Sequence, residues 1–195
     1  GERSDGHDYV ESARKSGAVA ALVTRKVDSD LPQILVEDTL KAYGDIAREY
    51  RQSLDVSVVA ITGSVGKTTT KEMISCVLSG KYRVSKTQGN HNNNLGLPIT
   101  IMNMPADTQI AVLELGMNHF GEMTYLTSIA RPNVVVITNI GTMHIEHLGT
   151  REGILKAKLE IMQGIQDNGV AVFNGDEPLL WNLREGKHRR IYFGI

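Results

Sequence analysis

From residue 56 onward, short apolar runs alternate with helical patterns, and this constrains the fold more than any other feature. Residues 56–62, 110–115, 134–140 and 170–173 are rich in β-branched side chains and read as strands. Between them, residues 68–78, 122–130 and 151–165 read as helices. In the first, Met73, Ile74, Val77 and Leu78 are expected to face inward. Strands that are apolar throughout are covered on both faces. The expected fold class is therefore α/β, a mostly parallel sheet flanked by helices. In such sheets ligands sit at the carboxyl ends of the strands. The sequence shows no internal repeat, low-complexity tract or heptad pattern.

Residues 1–54 read as part of a separate small α/β domain, and residues 55–195 as a central domain cut at its C-terminal side. Val10, Ala13 and Gly17 share one side of a short helix, and residues 18–23 and 33–36 read as buried strands. Asp38 is a good N-cap for a helix whose apolar face is Leu40, Tyr43, Ile46, Ala47 and Tyr50. The polar stretch 51–55 reads as a linker. Lys plus Arg total 21 against 22 acidic residues, so no basic excess is available to hold a nucleic-acid backbone. The single cysteine, Cys76, excludes a disulfide framework and points to a reducing, cytoplasmic setting. No apolar run approaches the length of a membrane span, and no signal peptide opens the chain. The start at Gly1 rather than Met reads as the middle of a longer protein.

The strand at 56–62 runs into Gly63-Ser64-Val65-Gly66-Lys67-Thr68-Thr69. A glycine loop between strand and helix lets backbone N–H groups cradle phosphate oxygens, and the helix N-terminus adds positive potential. Lys67 is placed to reach the β and γ phosphates, and the Thr68 hydroxyl to ligate Mg²⁺. The usual phosphate-loop pattern has glycine at position 61, where this chain has Ile61, so Gly63 supplies the early turn. Glu114 ends a hydrophobic strand, where a charge is costly unless it is bound to a metal or held in an ion pair. The metal is the favoured reading.

Two further loops are polar. Asn90-His91-Asn92-Asn93-Asn94 cannot be a core element, and on local grounds it is equally a turn cluster or a ligand loop. The stretch 139–148 carries His144, Glu146 and His147. Imidazoles in such a loop are ordinarily hydrogen-bonded surface groups, since Mg²⁺ prefers oxygen. On the helix at 151–165, Lys156, Lys158 and Glu160 read as a solvated face with a Lys156–Glu160 pair.

Taken together, residues 62–69, 89–98, 114–118 and 139–149 resemble the Mur ligase family. The resemblance covers nearly the whole chain. It is nearest to the members that add D-alanyl-D-alanine to UDP-N-acetylmuramoyl-tripeptide, on the asparagine loop and residues 116–123. It implies a monomeric ATP-dependent ligase of peptidoglycan synthesis, working through an acyl phosphate. It also implies ATP and two Mg²⁺ sites. Lys67 would contact phosphate. Thr68 and Glu114 would hold one Mg²⁺, and His144 would lie near the second. Lys158 would be carbamylated, giving an oxygen ligand. Asn94, Asn90 and Asn92 would lie near substrate, and Asp5 and His7 would face the UDP-sugar. The stretch alone would lack the domain that binds the incoming amine and would be inactive. The alternatives are another Mur or folylpolyglutamate-type ligase, or a nucleotide-binding module without ligase chemistry.

Overall fold

The computed structural model describes residues 4–143 and 145–195. The chain forms two compact units, Gly1–Ile46 and Ala47–Ile195.

In the first unit a 3₁₀ turn, Gly6–Tyr9, leads into α1, Val10–Lys15. Two short strands follow, β1 (Ala21–Val23) and β2 (Gln33–Leu35), paired in parallel with Ala21 opposite Gln33. Val10, Val23 and Leu31 form its core. The strands are shorter and less covered than the sequence suggests: Val19 lies outside β1, and Val19, Ile34 and Leu35 are exposed. A pair of three-residue strands has no second layer wide enough to cover both of its faces.

Helix α2, Thr39–Ser53, begins as expected, with the Asp38 carboxylate accepting from the N–H groups of Leu40 and Lys41. The unit boundary falls within it. Leu40 and Ile46 are exposed, and Ala47 is fully buried. The expected linker at 51–55 is instead largely helix. Arg51 is buried because its guanidinium donates to the Ala130 and Val56 carbonyls at 3.1 and 3.0 Å.

The second unit contains a six-stranded parallel sheet with strand order β4-β5-β3-β6-β7-β8. Its elements run β3 (Ser57–Thr62), α3 (Lys67–Ser79), β4 (Val84–Lys86), α4 (Gly96–Met102), β5 (Ile110–Glu114) and α5 (Glu122–Ala130). They continue with β6 (Val134–Ile137), α6 (Ile145–Leu148), α7 (Arg151–Leu159), a 3₁₀ turn (Glu160–Gly164), β7 (Val170–Asn174), α8 (Pro178–Trp181) and β8 (Arg189–Phe193). One face of the sheet packs Val58, Ala60, Leu113, Val135 and Phe173 under α4, α5 and α7; the other packs Ile61, Val112 and Val136 against α3.

The inward face of α3 is not the expected one. Met73 and Val77 are exposed, while Lys71 and Ser75 are buried and Ile74 and Leu78 pack on the sheet. Positions 71, 74, 75 and 78 make one helical stripe, and Met73 and Val77 lie outside it. Helix α7 ends at Leu159, before the expected residue 165, and Glu160 turns away from Lys156. Its carboxylate accepts from the backbone N–H groups of Gly121 and Thr124, capping the start of α5. Lys156 sits over the Phe120 ring at 5.8 Å.

In this strand order the chain leaves β3 toward the β4 edge, returns through β5, and then crosses to β6 on the other side of β3. The loops after β5, β3 and β6 therefore share one crevice, as parallel sheets arrange their ligand sites.

Candidate active site

β3 ends at Thr62 and the chain turns immediately. Gly63 has φ +152, and a Cβ there would drive into the Thr138 hydroxyl, so no larger residue fits. Gly66, at the N-cap of α3, has φ +81 in the left-handed region that glycine tolerates. The loop is held from the β6 side. Asn139 Oδ1 accepts from the N–H groups of Ser64 and Val65, both at 3.0 Å. The Thr138 hydroxyl donates to the Val65 carbonyl at 2.6 Å, and the Ser64 hydroxyl accepts from Gly141 N–H at 2.9 Å. Among the described residues nothing accepts from the N–H groups of Gly66, Lys67, Thr68 and Thr69. These open donors at a helix start are what a phosphate requires. Lys67 Nζ folds back onto the Gly63 carbonyl at 3.0 Å.

Glu114 stands at the end of β5, only 3% exposed. Its carboxylate receives the Thr68 hydroxyl at Oε2 and the Asn92 amide at Oε1, each at 2.8 Å. Its own N–H donates to the Thr87 hydroxyl at 3.0 Å. Both carboxylate donors are neutral, and among the described residues no cation pairs with Glu114. The ion-pair alternative therefore has no partner, and the buried charge suits a cation ligand.

Lys158, on α7, is 2% exposed. Burial, and then the neighbouring Lys67 charge, pull its ammonium down to about 8. Among the described residues none accepts a hydrogen bond from it. Thr68 and Glu114 offer a hydroxyl and a carboxylate side by side, oxygen donors of the kind Mg²⁺ prefers. Among the described residues no three His, Cys, Asp or Glu side chains converge on a metal. The Thr62 hydroxyl, at the foot of the loop, is buried and has no hydrogen-bond partner among the described residues.

The structure thus brings together residues 63–69, Glu114 and Asn92, with Lys158 beside Lys67. Asn90 and Asn94 are exposed; the Asn90 carbonyl closes a tight turn with Asn92 N–H at 2.8 Å. His144 lies outside the described residues. The His147 ring lies against that of His119, with centroids 4.5 Å apart and planes tilted by 39°. Asp5 and His7 belong to the first unit. There Asp5 accepts from the His7 backbone and ring and from Arg25, which together hold its carboxyl far below the usual range. Sequence reading missed Thr138, Asn139, Thr87 and Lys71 as parts of this site. The signal for Lys71 was available: it lies four residues after Lys67, where a lysine joins the inward stripe of α3.

The Mur ligase middle domain family matches residues 61–195, and the chain belongs to this family. Among its relatives, UDP-N-acetylmuramoyl-tripeptide--D-alanyl-D-alanine ligase of Bacillus subtilis is 51% identical over 93% of the chain. The Escherichia coli enzyme of the same name is 43% identical over 90% of the chain. The chain spans about 40% of the length of these relatives. A crystal structure of MurF ligase from Thermotoga maritima in complex with ADP superposes with a TM-score of 0.92 at 39% identity. That match covers 100% of this chain and 45% of the Thermotoga chain.

Proposed function

We propose that this chain is the nucleotide-binding part of an ATP-dependent ligase that joins D-alanyl-D-alanine to UDP-N-acetylmuramoyl-tripeptide, a step of peptidoglycan precursor synthesis. The observation that carries this reading is the open phosphate loop beside a buried Glu114 that neutral donors alone satisfy. The relatives at 51% and 43% identity supply the substrate pair. The first unit is read as part of the UDP-sugar domain, with Asp5 and His7 toward the sugar nucleotide.

The open N–H groups from Gly66 to Thr69 hold the β and γ phosphates, and Lys67 swings from the Gly63 carbonyl to the transferring oxygens. The tripeptide carboxylate attacks the γ phosphorus, giving an acyl phosphate and ADP. The dipeptide amine then attacks the acyl carbon through a tetrahedral intermediate, and phosphate leaves as the amide forms. The work is largely positioning and charge neutralisation. Thr68 and Glu114 would hold one Mg²⁺, and His144 with a carbamate on Lys158 a second; bound there, the ions neutralise charge on the transferring group. Asn92 keeps Glu114 oriented, and Asn90 and Asn94 line the substrate side.

The test is a coupled ADP-release assay on the full-length protein. Release should require UDP-N-acetylmuramoyl-tripeptide and D-alanyl-D-alanine together, and Lys67→Ala should abolish it. Preference for a single amino acid or glutamate would assign another family member. Release without any acceptor would point to a nucleotide module without ligase chemistry.

A further inference from the structure

We propose that Lys71 is a positioning residue that holds the Glu114 backbone, and with it the point from which the carboxylate projects, through Thr87; this rests on the reading that Glu114 holds a divalent cation beside the nucleotide. Lys71 is 2% exposed and sits one helical turn beyond Lys67 on α3. Burying an ammonium costs several kcal/mol unless close partners compensate, and an apolar side chain would fill the same space without that cost. The charge is therefore spent on something specific. Its Nζ donates to the Thr87 carbonyl at 2.8 Å and pairs with Glu72 Oε1 at 3.1 Å, and Glu72 also pairs with Lys86 on β4.

Thr87 is the link. It is fully buried and follows β4 directly. Its N–H donates to the Val112 carbonyl at 3.1 Å, and its hydroxyl accepts from Glu114 N–H at 3.0 Å. On the next residue, Leu115 N–H donates to the Ile61 carbonyl at 2.8 Å. The backbone at Glu114 is thus gripped where its side chain leaves the sheet. Lys71 holds the residue that grips it, and Lys71 rides on the helix that begins in the phosphate loop. One ammonium fixes the distance between the loop and the carboxylate.

The experiment uses the full-length ligase and follows Mn²⁺ binding in the presence of ADP by electron paramagnetic resonance. ADP affinity without metal and the melting temperature are measured in parallel. In Lys71→Met and in Thr87→Val, Mn²⁺ affinity should fall about tenfold, as happens when a residue supporting a metal ligand is removed. Metal-free ADP binding should hold. Thr87→Ser, which keeps the accepting oxygen, should restore Mn²⁺ binding. A melting temperature that drops while Mn²⁺ affinity stays unchanged in both variants would overturn the proposal. If Lys71→Met does not fold, the Thr87→Val and Thr87→Ser pair decides. Glu114→Gln tests the underlying reading separately: undiminished Mn²⁺ affinity there removes the cation from Glu114, whatever Lys71 does.

Discussion

Two ammonium groups, on Lys67 and Lys158, share one corner of the site, and only Lys67 has a hydrogen-bond acceptor among the described residues. Such an arrangement favours loss of charge at the more buried group. A neutral amine near pH 8 is able to add to CO₂, and under the proposed carbamylation a buried positive charge beside Lys67 would become an anion. Lys158→Ala should therefore abolish ligation, and short carboxylates such as acetate should restore part of it by filling the vacated volume. Undiminished turnover in that variant would remove the carbamate. The same lysine sets a pH dependence in metal-free, CO₂-free chain. Its ordinary value is 10.5 and its folded value about 8. Below that window both states carry the proton and folding bears the full cost of the buried charge. Within the window the unfolded chain binds more protons, so stability rises with pH, and above it the cost is gone. Urea midpoints should climb across this range and lose that climb in Lys158→Met. An identical slope in the variant would mean that folding does not bury Lys158 as an ammonium.

At the scale of elements, Arg51 shows how one side chain converts an expected linker into structure. Ala130 closes α5, where the last carbonyls lack intrahelical partners, and the Arg51 guanidinium supplies both a donor and a charge of the right sign. The same group binds the carbonyl of Val56 just before β3. Arg51→Met should cost about 3 kcal/mol, the scale of buried hydrogen bonds from a charged donor. Calorimetry should show the melting temperature of the second unit falling by roughly 6–12 °C, with ADP affinity preserved. An unaltered melting temperature would mean that the helix-to-sheet tie carries no energy. Strands β3, β5, β6 and β7 were legible because they are unbroken apolar runs, and Gly-Lys-Thr at a strand–helix junction made the phosphate loop legible with them. β4 was not legible, since Val84-Ser85-Lys86 has no pattern beyond one β-branched residue. Helix α4 hid behind the asparagine loop: it opens on Gly96-Leu97-Pro98, residues that signal a turn, and it is fixed by burial of Leu97 and Ile101. Met73 and Val77 misled for a different reason. On α3 the polar residues Lys71 and Ser75 occupy the buried stripe, so hydrophobicity alone marks the wrong face. Thr87 and Asn139 act through backbone partners distant in sequence, which no local pattern encodes.

At the scale of the whole chain, the two units differ greatly in what holds them. The first rests on Val10, Val23 and Leu31 around two three-residue strands. The second buries a large core on one face of a six-stranded sheet, from Ala47 through Leu180, and a smaller one around Ile61, Val112 and Val136 on the other. Small cores and two-stranded sheets are marginal by themselves, whereas burial grows faster than surface as a unit enlarges. The units should therefore open as separate cooperative blocks of unequal free energy. Native-state hydrogen exchange can read this directly. Amides in Ala21–Val23 and Gln33–Leu35 should exchange through low-energy openings, while those of Ser57–Thr62 and Ile110–Glu114 should exchange only through global unfolding of the second unit. Adding ADP with Mg²⁺ should slow exchange in the second set and leave the first unchanged, because a ligand protects the unit whose folded form it binds. One common opening energy for all four strands would show instead that the chain unfolds as a single block.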